Sequence, residues 1–114
     1  MNVIGHPTGR IIGHRPGYEL EMTAIAQAAA ETGTALEVNG SPRRLDLSGE
    51  MVRIALDAGA LIAVSSDAHT IREYGNVENG VPTARRGGAT PADGLNCGEV
   101  TAVLDFAQRK KGRA

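Results

Sequence analysis

Three short apolar runs, separated by two stretches of helical periodicity, constrain this chain more than any other feature. The runs are Asn2-Val3-Ile4-Gly5, Ala35-Leu36-Glu37-Val38-Asn39 and Leu61-Ile62-Ala63-Val64-Ser65-Ser66. Their length and their Gly, Ser and Pro boundaries predict strands. Between the first two, Met22, Ile25, Ala26 and Ala29 form an apolar stripe. That stripe predicts a helix from about Glu19 to Thr32, with Gly33 suited to its C-terminal cap. Between the second and third, Ser48 can cap a helix running to about Ala58, with Val52, Ala55 and Leu56 inward and Gly59 at its end. Pro7, Gly9, Gly13, Pro16 and Gly17 mark a loop after the first run. Residues 70–94 hold many Gly, Pro and Thr and predict only a short helix near Val81–Arg86. A last helix is expected near Asn96, where Asn96 and Glu99 have capping-box spacing and Val100, Val103, Leu104 and Ala107 give an apolar face.

This alternation argues for an α/β fold of parallel strands with flanking helices. Three strands cannot close a barrel, and an open parallel sheet needs both faces covered. The chain also begins almost inside a strand. Residues 1–114 therefore read as a single, incomplete domain, a piece of something larger. Hydrophobic residues make up 41% of the chain, but aromatics only 3%, and Trp is absent. The core must come from Ala, Val, Ile and Leu and is expected to be shallow. A net charge of −1 excludes a broad basic field for nucleic acid, leaving local clusters at Arg43-Arg44, Arg85-Arg86 and the tail Arg109–Arg113. The tail reads as a solvated helix end. Cys97 is the single cysteine, so neither a disulfide framework nor a cysteine zinc site can form. It reads as a buried small residue or a first-turn helix residue. The longest apolar run is far short of a membrane span, and a cytoplasmic protein is expected.

Polar groups of the ligating type stand at all three predicted strand ends. His6 follows the first, Glu37 and Asn39 lie two apart on the second, and Asp67 and His69 follow the third. In a parallel sheet these ends share one edge, where α/β proteins place their chemistry. On an extended segment Asp67 and His69 would point the same way. A carboxylate and an imidazole are a usual pair for Zn, Mn or Fe, although a hydrogen-bonded Asp/His pair is the plainer alternative. Arg10, four residues after His6, could clamp a phosphate with its planar guanidinium or form a surface ion pair; Arg85 and Arg86 could do likewise. His14 reads as a loop or surface histidine. No phosphate-binding glycine loop and no serine triad is present.

Five segments taken together resemble a known family: His6-Pro7-Thr8-Gly9-Arg10; Leu36-Glu37-Val38-Asn39-Gly40-Ser41-Pro42-Arg43-Arg44-Leu45-Asp46-Leu47; Ser66-Asp67-Ala68-His69; Thr83-Ala84-Arg85-Arg86-Gly87; and Leu95-Asn96. The chain resembles the C-terminal half of the PHP (polymerase and histidinol phosphatase) domain, in the form carried by bacterial family X DNA polymerases. The resemblance implies roughly half of a distorted seven-stranded β/α barrel and a phosphoesterase with two or three divalent ions, Mn or Zn. It implies 3′–5′ exonuclease and 3′-end processing in DNA repair, with DNA 3′ ends as partner. By the same resemblance His6, Asp67 and His69 match metal ligands, Arg10 a residue near the phosphate site, and Glu37 and Asn39 supporting residues; Arg10 is thus the candidate catalytic residue, and Arg10 and Arg85 are the candidate substrate-binding residues. The family's opening His-x-His, its middle histidine and its bridging glutamate are missing. The resemblance therefore implies weak metal binding and little turnover for the chain alone, unless another chain supplies the first half of the barrel. A small-molecule phosphatase of the histidinol-phosphate kind and a non-enzymatic assembly module stand as alternatives.

Overall fold

A computed structural model describes residues 1–18 and 20–111. Its centre is a parallel sheet of three strands in the order β1-β2-β3, formed by Val3–Ile4, Ala35–Asn39 and Ile62–Ser65. Val3 pairs with Ala35, and Leu36, Glu37, Val38 and Asn39 pair with Ile62, Ala63, Val64 and Ser65. Helix α1 (Met22–Thr32) joins β1 to β2, and α2 (Gly49–Asp57) joins β2 to β3. After β3 a 3₁₀ segment, Ile71–Asn76, runs into α3 (Val77–Arg86), and α4 (Val100–Lys111) ends the described chain. No helix among the described residues is long and apolar enough to cross a membrane.

The sequence explains most of these bounds. Gly33 ends α1 at φ 67°, and its N–H reaches back to the carbonyl of Ala30. The Ser48 hydroxyl accepts the Met51 N–H at 3.3 Å and so caps α2. Glu19, the expected start of α1, lies outside the described residues, as do residues 112–114 of the basic tail. Alternation along the strands turns Leu36, Val38, Ile62 and Val64 to one face. These four share a core with Met22, Ala26 and Ala29 of α1, Val52 and Ala55 of α2, and Ala84 of α3. The opposite face carries Ala35, Glu37, Asn39, Ala63 and Ser65, which are smaller and more polar. The core is thus built from aliphatic residues on one side of the sheet.

Three expectations need correction. Helix α3 starts four residues earlier than Val81 and passes through Gly80 and Pro82. Packing overrides propensity here: a Cβ on Gly80 would stand 2.7 Å from Val64 Cγ1, so only glycine lets this helix sit so close to β3. Asn96 does not cap α4. It lies in a 3₁₀ turn, Leu95–Cys97, and its side chain grips the outer edge of β3. Its Oδ1 accepts the Val64 N–H at 3.1 Å, and its Nδ2 donates to the Val64 carbonyl at 2.7 Å. One amide side chain thereby stands in for one residue of a fourth strand, next to the bridge between Ile62 and Gly94. Cys97 is exposed in that same turn, neither buried nor in the first turn of a helix.

Candidate functional site

The three parallel strands bring their C-terminal ends to one edge, and Glu37 fastens those ends together. Its Oε1 accepts the backbone N–H of His6 at 2.7 Å and the Asn39 amide at 3.3 Å. Its Oε2 accepts the hydroxyl of Ser65. A single carboxylate therefore spans the exit of β1, its own strand and the end of β3. Asn39 is buried, and its Oδ1 accepts the Ser41 N–H at 3.0 Å, which turns the chain after β2. Both side chains are occupied in holding the edge.

Beyond the end of β1, the segment after Ser41 folds back along β2. Asn39 donates to and accepts from the backbone of Asp46, and Leu47 N–H reaches the Glu37 carbonyl. The odd-numbered residues of β2 face the β1 side, so this segment takes up the edge that β1 leaves free. Asp46 is fully buried. Its carboxylate accepts from Thr8 N, Thr8 Oγ1 and Gly9 N at 3.0, 2.9 and 2.9 Å. That clamp fixes the loop carrying His6 and Arg10 against the loop carrying Arg44. It is a satisfied buried charge, of the kind that costs most when one partner is removed.

Backbone strain gathers at the same place. Among the described residues, the non-glycine residues with positive φ are His6 (24°), Leu45 (43°) and Asp67 (54°). Aspartate and histidine tolerate this region better than most, but leucine has no polar side chain to compensate. Each such residue costs about 1–3 kcal/mol, and such residues cluster at binding and catalytic sites. Here all three lie in the loops that leave the strand edge.

The expected site residues are distributed unevenly. His6 and His69 are exposed, and Asp67 is partly buried. Asp67 and His69 do not lie on an extended segment, contrary to the expectation that they point the same way from one. The strand ends at Ser65, and Asp67 is left-handed, so the two-residue alternation of a strand stops before them. Instead, His69 Nδ1 lies 2.8 Å from the Asp67 carbonyl oxygen. A carbonyl can only accept, so Nδ1 is the donor in this contact, which leaves Nε2 as the nitrogen that a neutral imidazole would offer to a metal. Arg10 donates through Nε to the Arg44 carbonyl at 2.7 Å and through Nη2 to the Leu45 carbonyl, bracing the neighbouring loop. Arg85 is exposed in the last turn of α3 and lines a groove with Ile62, Val64 and Cys97, which none of the strand-end site residues joins. His14 is exposed in the loop before α1. Arg44, legible in the sequence only as half of an arginine pair, is the residue missed: its Nε lies 3.8 Å from Asp67 Oδ2.

These residues do not by themselves fit a divalent ion. Among the described residues, no three His, Cys, Asp or Glu side chains come together closely enough to hold one. The Asp67 carboxylate faces a guanidinium instead. A firm site needs three or four ligands, so the donors here are a partial set.

Comparison with known proteins places this edge in context. The chain is 38% identical over 109 residues to the DNA polymerase/3′-5′ exonuclease PolX of Bacillus subtilis, an alignment covering 96% of the chain and 19% of that protein. It is 32% identical over 115 residues to a protein of Edwardsiella ictaluri named "Probable phosphatase", covering 96% of the chain and 44% of the relative. A "Probable phosphatase" of Escherichia coli is 33% identical over 84 residues, covering 68% of the chain and 32% of the relative. The chain thus spans about a fifth of the polymerase and less than half of each of these phosphatases. No family model matches it. The chain is related to these proteins over most of its length.

Proposed function

We propose that this chain is the C-terminal half of a PHP-type phosphoesterase domain, and that its strand edge is one side of a site that hydrolyses phosphoester bonds. The carrying observation is the edge itself. Three parallel strand ends are joined by Glu37, and the left-handed residues His6, Leu45 and Asp67 all lie in the loops leaving it. The greater identity to the polymerase than to the phosphatases favours DNA 3′ ends as substrate, with 3′–5′ exonuclease and 3′-end processing as the activity of the whole domain. The relatives named as phosphatases keep a small phosphate monoester as the second reading.

In this reading His6, Asp67 and the free Nε2 of His69 contribute ligands to divalent ions, Mn or Zn. Residues outside these 114, in the same or another chain, complete the set and close the barrel. Such ions would supply a hydroxide near neutral pH. Glu37, Asn39 and Asp46 hold the loops so that the ligands need not rearrange on binding. The partial set predicts weak binding by the chain alone. Calorimetric titration with Mn²⁺ is expected to give a dissociation constant no tighter than about 100 μM, lost in an Asp67→Ala/His69→Ala double variant. Micromolar binding that survives the double substitution would put the metal elsewhere and overturn the assignment.

A further inference from the structure

We infer that Arg44, rather than Arg10, is the residue of this edge that takes a phosphate oxyanion, and that Asp67 holds it in readiness. The inference rests on the phosphoester reading above and adds the group that binds the substrate's charge. Arg10 has already spent two of its donor positions, Nε and Nη2, on the carbonyls of Arg44 and Leu45. Both groups of its Nε/Nη2 edge, a pair of parallel N–H donors that could clasp an oxyanion, are thereby taken up in positioning a loop. The loop it positions is the one that carries Arg44.

Arg44 is in the opposite condition. Its side chain is 19% exposed, buried enough to strengthen an ion pair and open enough to be reached. Its Nη1 donates to the Arg10 carbonyl at a long 3.4 Å, and its Nε stands 3.8 Å from Asp67 Oδ2, outside hydrogen-bond range. No other partner of its guanidinium occurs among the described residues. The planar fork can therefore turn two parallel N–H groups to an oxyanion, an arrangement to which arginine is suited and lysine is not. Asp67 lies at the strand exit, so an anion bound by Arg44 arrives beside the Asp67 carboxylate at that exit. The carboxylate and the anion then compete for one guanidinium. Removing the carboxylate should strengthen anion binding, an effect that a merely structural arginine would not show.

The test is titration of the intact chain with inorganic phosphate, followed through the Nε–H resonance of Arg44 and through the affinity. Phosphate is expected to shift that resonance saturably, and Arg44→Gln to weaken binding by about tenfold or more. Asp67→Asn, which keeps Arg44 intact, is expected to tighten it by about threefold or more. Backbone amide spectra establish that each variant is folded. Unchanged affinity in folded Arg44→Gln, or unchanged or weaker affinity in Asp67→Asn, overturns the assignment. Phosphate binding needs no turnover, so this result is independent of hydrolysis. Arg44-dependent binding without hydrolysis in an assembled site would defeat the phosphoester reading alone, and hydrolysis without Arg44-dependent binding would defeat this inference alone.

Discussion

Asp46→Ala is expected to cost this protein about 3 kcal/mol or more of stability. Asp46 is 0% exposed, and its carboxylate receives Thr8 N, Thr8 Oγ1 and Gly9 N. Alanine leaves these donors buried without the acceptor that satisfied them. The burial cost of the charge is relieved at the same time, which is why the loss falls short of three full hydrogen bonds. A domain of this size has a total stability of roughly 5–15 kcal/mol, so the variant should be close to unfolding. Asp46→Asn keeps one acceptor and is expected to cost about half as much. Urea unfolding measures both. A shift in midpoint at constant slope is the expected signature. A loss below about 1 kcal/mol for the alanine variant would show that the two loops are not held by this carboxylate.

Leu36→Ala is expected to cost about 3 kcal/mol by a different route. Leu36 lies in the central strand and is 0% exposed, between Ile4 of β1 and Ile62 of β3. Its removal leaves a cavity among side chains of α1, α2 and the sheet, with few aromatic neighbours large enough to collapse into it. Val3 is the control. It sits on the edge strand and is 39% exposed, and Val3→Ala should cost less than about 1 kcal/mol. Equal losses at the two positions, measured by the same unfolding curves, would mean that the helix-covered face of the sheet is not the core.

The parts of the fold that local chemistry dictates were legible in the sequence. Ala35–Asn39 is a strand over the residues that its apolar run marks, Gly33 ends α1, and Ser48 caps α2 through its hydroxyl. What was not legible depends on contacts distant in sequence. The sequence predicts a short helix only from about Val81, yet α3 starts at Val77 and runs through Gly80, which fits under Val64. Asn96 has capping-box spacing to Glu99, but the open edge of β3 offers the N–H and carbonyl of Val64, and the amide goes there.

The site divides in the same way. That His6, Glu37, Asn39, Asp67 and His69 stand at strand ends followed from the order of elements. That Glu37 ties three strands follows only from the register that sets Gly5 beside it. The roles of the arginines were hardest to read. Arg10 and Arg44 are both loop arginines in the sequence, and only the fold shows one committed to carbonyls and the other facing a carboxylate.

This edge, we propose, is one side of a phosphoester-hydrolysing site. Exchanging this chain for the aligned region of the Bacillus subtilis polymerase, which keeps the rest of that protein covalently in place, tests this most directly. The measurement is Mn²⁺-dependent removal of nucleotides from a DNA 3′ end. The chimera is expected to work within about tenfold of its parent, and Asp67→Ala/His69→Ala in the chimera to lower the rate by about a hundredfold or more. A folded chimera with no hydrolysis, or one whose rate the double substitution leaves unchanged, would contradict the claim.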